Sequence, residues 1–134
     1  MNFLKVVLRF KDGKIYKGST HNFFPNKTRF HLFLHENPSE HPLEVCFQDL
    51  KAVFIVQDFS GKPGYNEQKK FRPDGKSFGP KMEVTFEDGK TLVGSSLDFS
   101  LKKKGFFLFP ADPHSNNLKA FVIFDAVRHL RQLR

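Results

Sequence analysis

Hydrophobic and polar positions alternate along most of this chain, and the alternation halts at intervals on turn-forming residues. Period-two alternation bounded by Gly, Pro and Asp-Gly pairs predicts strands and hairpins. Phe3 to Phe10 is rich in β-branched and aromatic residues and breaks at Asp12-Gly13, a hairpin signal because both residues tolerate positive φ. A second strand is expected over Lys14 to Asn22, and a polar stretch around Pro25 separates it from Arg29 to His35. In that third run Phe30, Leu32 and Leu34 face one way, and Arg29, His31 and Phe33 the other. Leu43 to Phe47 reads as a fourth strand, Gln48-Asp49-Leu50 as a short turn, and Lys51 to Val56 as a fifth.

The pattern then repeats. Val6 to Phe33, VVLRFKDGKIYKGSTHNFFPNKTRFHLF, aligns without a gap on Met82 to Phe109, MEVTFEDGKTLVGSSLDFSLKKKGFFLF. Asp12/Asp88, Gly13/Gly89, Gly18/Gly94, Ser19/Ser95 and Phe30/Phe106 coincide. After one extra residue in the second copy, Phe47 to Lys51 falls on Phe124 to Arg128. Strands are therefore expected again at Lys81 to Phe86, Thr91 to Leu97, Gly105 to Phe109, Ala120 to Phe124 and Val127 to Leu133. The last run also places Val127, Leu130 and Leu133 at helical spacing behind Asp125, a candidate cap. Its counterpart, Ala52 to Val56, is strand-like, so a strand is expected in both copies.

A repeat sets the folding unit. Residues 58–80 have the Gly and Pro content of a linker. Phe59, Tyr65, Phe71 and Phe78 are spaced along it like anchors, so it is expected to lie against the folded parts. The expected organisation is a first unit over 1–57, a connector over 58–80 and a second unit over 81–134.

Five short antiparallel strands per copy describe a small β-barrel. The opening VxLxFxDGxxxxGxxxxF resembles the first half of the Sm/Lsm fold, an SH3-like barrel of RNA-binding proteins. That resemblance implies an Asp-Gly turn between the first two strands and a bend of the second strand at Gly18 or Gly94. It does not carry over the RNA-contacting residues. Asn22 and Asp98 match the Sm acidic position loosely, and Asp49-Leu50-Lys51 and Asp125 to Arg128 replace its basic-glycine pair. The Sm N-terminal helix has no counterpart. The fold expected is all-β, with two tandem SH3/Sm-like small barrels from an internal duplication.

The chain also resembles a bacterial family of uncharacterised proteins. The likeness rests on Leu50 to Phe54, on Asp58-Phe59-x-Gly61-x-Pro63-x-Tyr65, and on the run from Gly105 to Asn117. Members of that family occur alone and beside PilZ and response-regulator domains, which implies a regulatory or adaptor setting. The PilZ cyclic-dinucleotide signature fails here: after Asp98-Phe99-Ser100 the glycine arrives late, at Gly105, and Arg128 and Arg131 lie on the wrong side of it.

Charge and composition narrow the chemistry only in part. A net charge of +8 suits nucleic acid, acidic proteins or anionic lipid, and equally a solubilising surface for a chain with 18 phenylalanines. One cysteine, Cys46, excludes an intrachain disulfide; its alternating run suggests a buried structural thiol. No apolar stretch reaches the ~20 residues a membrane helix needs, and no signal-like apolar region follows Met1, so a cytoplasmic location is expected.

His31, His35 and His41 with Glu36 and Glu40 offer metal-ligating atoms, but the spacing fits no established zinc motif and the second copy has Phe107 and Ala111 at the first two positions. Ser19 and Ser95 lack a nucleophile-elbow context. Asp12 and Asp88 sit where a hairpin turn favours aspartate for backbone reasons. No catalytic residue, cofactor or metal is assigned.

The loop Pro110 to Asn117 is richer in Pro, Asp, Ser and Asn than its counterpart, and is expected to dock the two units together or to meet a partner. The function expected is non-enzymatic binding, as a regulatory or adaptor protein acting through contacts with an unknown protein partner. The alternative is RNA or single-stranded DNA binding through Lys27, Arg29, Lys102, Lys103 and Lys104, which occupy equivalent loops between the second and third strands.

Overall fold

The structure, a computed structural model, describes residues 3–36, 41–72, 77 and 79–133. Its strands are β1 (Leu4–Phe10), β2 (Ile15–Thr20), β3 (Arg29–Leu34), β4 (Leu43–Cys46), β5 (Leu50–Val56), β6 (Lys81–Phe86), β7 (Thr91–Ser95), β8 (Gly105–Pro110), β9 (Asn117–Ile123) and β10 (Val127–Gln132). Short 3-10 turns at Phe47–Asp49 and Phe124–Ala126 precede β5 and β10. The described residues contain no α-helix, so the protein is all-β and the ambiguous last segment is a strand. None of its helical turns is long and apolar enough to cross a membrane.

All ten strands belong to one open sheet in the order β10-β6-β7-β8-β9-β5-β1-β2-β3-β4. The same local devices appear in each half of it. Lys14 N–H donates to Asp12 and Lys90 N–H to Asp88, both at 3.0 Å, closing the two Asp-Gly hairpins. A Cβ on Gly18 would stand 2.3 Å from the Phe33 carbonyl oxygen, and one on Gly94 2.2 Å from that of Phe109. Only glycine lets β2 and β7 approach the next strand this closely.

The halves meet where β5 pairs with β9, with Val53 opposite Phe121 and Phe54 opposite Ala120. Alternate side chains of these two strands enter two different cores. Val53, Ile55, Phe121 and Ile123 join Val6, Leu8, Phe30 and Phe47 in one cluster. Ala52, Phe54, Val56, Ala120 and Val122 join Val84, Phe86, Phe106 and Leu108 in the other. Burial on both faces explains why β5 reads as a continuous apolar run, broken only by Lys51.

At the sheet's outer edges the corresponding outward positions are polar. β4 carries Glu44, which aligns with Phe121, and β10 carries His129 and Arg131, which align with Ala52 and Phe54. Charge on an edge strand opposes further strand addition.

The segment after β5 is fastened to the Pro110–Asn117 loop, which accounts for that loop's composition. Asn116 accepts the Asp58 N–H at 3.1 Å and donates to the Asp58 carbonyl at 2.9 Å. Ser115 donates to Glu67, and Lys62 to the His114 carbonyl. Of the expected anchors, Phe59 stacks on His35 at 4.3 Å, Tyr65 bonds to Asp112, and Phe71 lies under Lys81 at 4.8 Å. Phe78 lies outside the described residues.

Asp112 is the hub of this clasp. It is buried and accepts from the Tyr65 hydroxyl at 2.5 Å, the Gln68 N–H at 2.8 Å and the His114 N–H at 2.9 Å. Burial alone would raise its carboxyl, but those hydrogen bonds, Gln68 foremost, outweigh it and hold the group at about 2 against an ordinary 3.8. A carboxylate depressed in this way adds stability above its unfolded value, and the contribution is lost as pH falls through about 2. Asp112→Asn should therefore cost about 1–3 kcal/mol near neutral pH. As the medium is acidified below the unfolded carboxylate value, the variant should lose less stability than the native chain. Urea titrations followed by circular dichroism at neutral and acid pH check both halves of this expectation.

Candidate functional site

Two loops, one from each half, come together beside the two 3-10 turns. The β2–β3 loop is braced by Asn22, which accepts the His31 N–H at 2.9 Å. The β7–β8 loop is braced in the same manner by Asp98, which accepts the Phe107 N–H at 3.0 Å and the Ser96 hydroxyl at 3.1 Å. The two residues that loosely match the Sm acidic position thus set the shape of these loops.

Lys104 joins them. Its ammonium donates to the Lys27 carbonyl and lies 4.5 Å from the centre of the Phe47 ring. The result is a groove of about 610 Å³ whose lining includes Arg29, Gln48, Lys103, Lys104, Phe124 and Asp125. Of the five cations picked out by the sequence, Arg29, Lys103 and Lys104 line the groove and Lys27 is tied to it through Lys104. Lys102 is exposed beside it. Arg29 also pairs with Glu44, but both side chains are more than half exposed, and such a pair holds an arginine by only about 0–1 kcal/mol. Cys46, expected to be buried, is half-buried and forms part of the wall. Leu97, Leu101, Phe24 and Phe99 are exposed on the same loops, Leu101 by 80%.

The histidines take structural contacts. His31 Nδ1 lies 2.9 Å from the Asn22 amide nitrogen, and the His35 ring packs on Phe59. Glu40 falls outside the described residues, among which no group of three His, Cys, Asp or Glu side chains is placed to hold a metal ion.

A second concavity, of about 520 Å³, was not foreseen from the sequence. It lies where Val7 and Arg9 of β1 and the second-core side of β5 meet the β6–β7 hairpin and the segment after β5. The seam supplies its most buried charge. A register shift in β5 opposite Arg9 and Phe10 turns Lys51 toward the second half, where it is 7% exposed and donates to Asp88 at 2.7 Å over the face of Phe86. The Lys51 hydrogen bond, followed by that of the Lys90 N–H, holds the Asp88 carboxyl below the ordinary carboxylate range. Arg9, Lys17, Lys69 and Lys90 complete the cationic rim. The signal for this site was weak, because Arg9 and Lys17 sit at outward strand positions whose counterparts, Thr85 and Val93, are uncharged.

Among known proteins, the model of a family of unknown function (DUF6982) matches residues 3–134. No curated protein and no solved structure matches the chain.

Proposed function

The chain belongs to this family, DUF6982, whose description supplies no activity, and we propose that it is a non-enzymatic binding protein that holds single-stranded nucleic acid in the groove between its two cationic loops. The observation that carries the proposal is the convergence of Lys27, Arg29, Lys103 and Lys104 from both halves around one concave surface. Cations spaced along a groove track a phosphate backbone, and exposed aromatic side chains such as Phe24 offer a face for a base.

In this reading each half is an SH3/Sm-like small barrel, residues 1–57 and 81–134, joined by the 58–80 connector. The order β5-β1-β2-β3-β4 in one half and β10-β6-β7-β8-β9 in the other supports it, as do the matching Asp-Gly hairpins and strand-bending glycines. A cytoplasmic, regulatory setting fits such a protein.

Contact with a protein partner, the role that the sequence favoured, is the second reading. The exposed Leu97 and Leu101 beside the lysines support it, since apolar side chains rimmed by charge suit a protein surface.

Salt dependence separates the two. Binding of a labelled single-stranded oligonucleotide should weaken steeply with salt, and Lys102→Ala, Lys103→Ala and Lys104→Ala together should flatten the log–log slope by about 0.7 for each phosphate no longer neutralised. Fluorescence anisotropy measures it. An unchanged slope in the triple variant, or no binding at low salt, would leave these lysines as solubilising charge.

A further inference from the structure

The concavity at the seam shares no lining residue with the loop groove, and its chemistry differs. Its floor is apolar, with Val7 and Leu92 partly exposed over the buried rings of Phe54 and Phe86, while its rim is cationic. Lys51 is neutralised by Asp88 and Lys17 donates to the Phe59 carbonyl at 2.9 Å. Arg9, Lys69 and Lys90 have no carboxylate within ion-pair distance among the described residues. Only Lys90 feels a nearby carboxylate, that of Asp88, which already pairs with Lys51. Cations in excess around one cleft repel each other and attract a multiply charged anion.

From this juxtaposition we propose that the cleft is a site for a nucleoside phosphate. An inorganic anion would leave the apolar floor unused, and a purely apolar ligand would leave the cations unpaired. A flat ring carrying a phosphate satisfies both. The volume lies within the range of about 300–1,000 Å³ that small-molecule sites occupy. Arg9 is the rim residue suited to hold the phosphate. Its guanidinium, 5.9 Å from the centre of the Phe54 ring, presents a planar fork that meets two phosphate oxygens at once. Lys90 reaches the same ligand from the β6–β7 hairpin of the other half, and Lys69 from the segment after β5, so that binding bridges the seam.

Calorimetric titration of the full chain at low salt tests the site, with AMP, ADP, adenosine and inorganic phosphate as probes. ADP should bind more tightly than AMP, and adenosine and inorganic phosphate each at least tenfold more weakly than AMP. Arg9→Gln combined with Lys90→Gln should weaken AMP at least tenfold, whereas the Lys102, Lys103 and Lys104 triple variant should bind it as the native chain does. Should Arg9→Gln disturb folding, Lys90→Gln alone, at an exposed position, should still weaken AMP several-fold. The proposal is overturned if AMP fails to bind at millimolar concentration, if inorganic phosphate binds as well as AMP, or if the Lys90 variant binds AMP unchanged. Loss of AMP binding in the lysine triple variant would also overturn it, by assigning the nucleotide to the loop groove.

Discussion

Phe121→Ala should lower stability by about 3–5 kcal/mol, the range for removing a buried aromatic ring, and it should loosen the half of the protein to which Phe121 does not belong in sequence. The ring is 2% exposed and lies within a cluster of aromatic rings, 5.1 Å from Phe107, 5.9 Å from Phe23 and 6.0 Å from Phe47. Two of those partners come from the first half, and the core they share is closed over by β9 of the second. Native-state hydrogen exchange on the variant should therefore show reduced protection in β1 and β3 together with β9. A reduction confined to β8, β9 and β10 would mean that the halves are stable separately and that the seam is only a surface between them.

Gly94→Ala should be at least as damaging, at about 3 kcal/mol or more. The added methyl would stand 2.2 Å from the Phe109 carbonyl oxygen and 2.8 Å from Leu108 Cγ. The carbonyl belongs to the β7·β8 ladder and cannot swing aside as a side-chain tip would. Gly13→Ala is the informative contrast. Gly13 has φ +94° but nothing within 4 Å of a built Cβ, so its cost is the backbone term alone, about 1–2 kcal/mol. Urea unfolding of the two variants should rank Gly94 well above Gly13; equal costs would show that close packing is not what fixes the glycine in β7.

Most strands were legible because they are short, alternate and are bounded by turn residues, and β5, a continuous apolar run, by its length and β-branched content. Even the ambiguous Val127 to Leu133 run was settled correctly by its strand-like counterpart. The seam could have been read from the places where the copies disagree. Glu44 is matched by Phe121 and His31 by Phe107, while Ala52 and Phe54 are matched by His129 and Arg131. The Glu44/Phe121, Ala52/His129 and Phe54/Arg131 mismatches exchange an edge position for a buried one, and so mark which strand of each copy faces solvent and which faces the other half; His31/Phe107 exchanges a polar position on β3 for a ring packed at the seam. The cationic loops were legible as sequence-local charge. The rim of the seam cleft was not, because Arg9, Lys69 and Lys90 come from three distant segments and acquire a common neighbourhood only when β5 pairs with β9.

The loop groove is tested most directly by amide chemical shifts of the isotopically labelled chain during addition of a short single-stranded oligonucleotide. Perturbations are expected at Thr28, Arg29, Gln48, Lys103, Lys104 and Asp125, which line one surface although they come from four separate segments. An absence of shifts at low salt, or shifts confined to the β6–β7 hairpin and the outward face of β1, would contradict it.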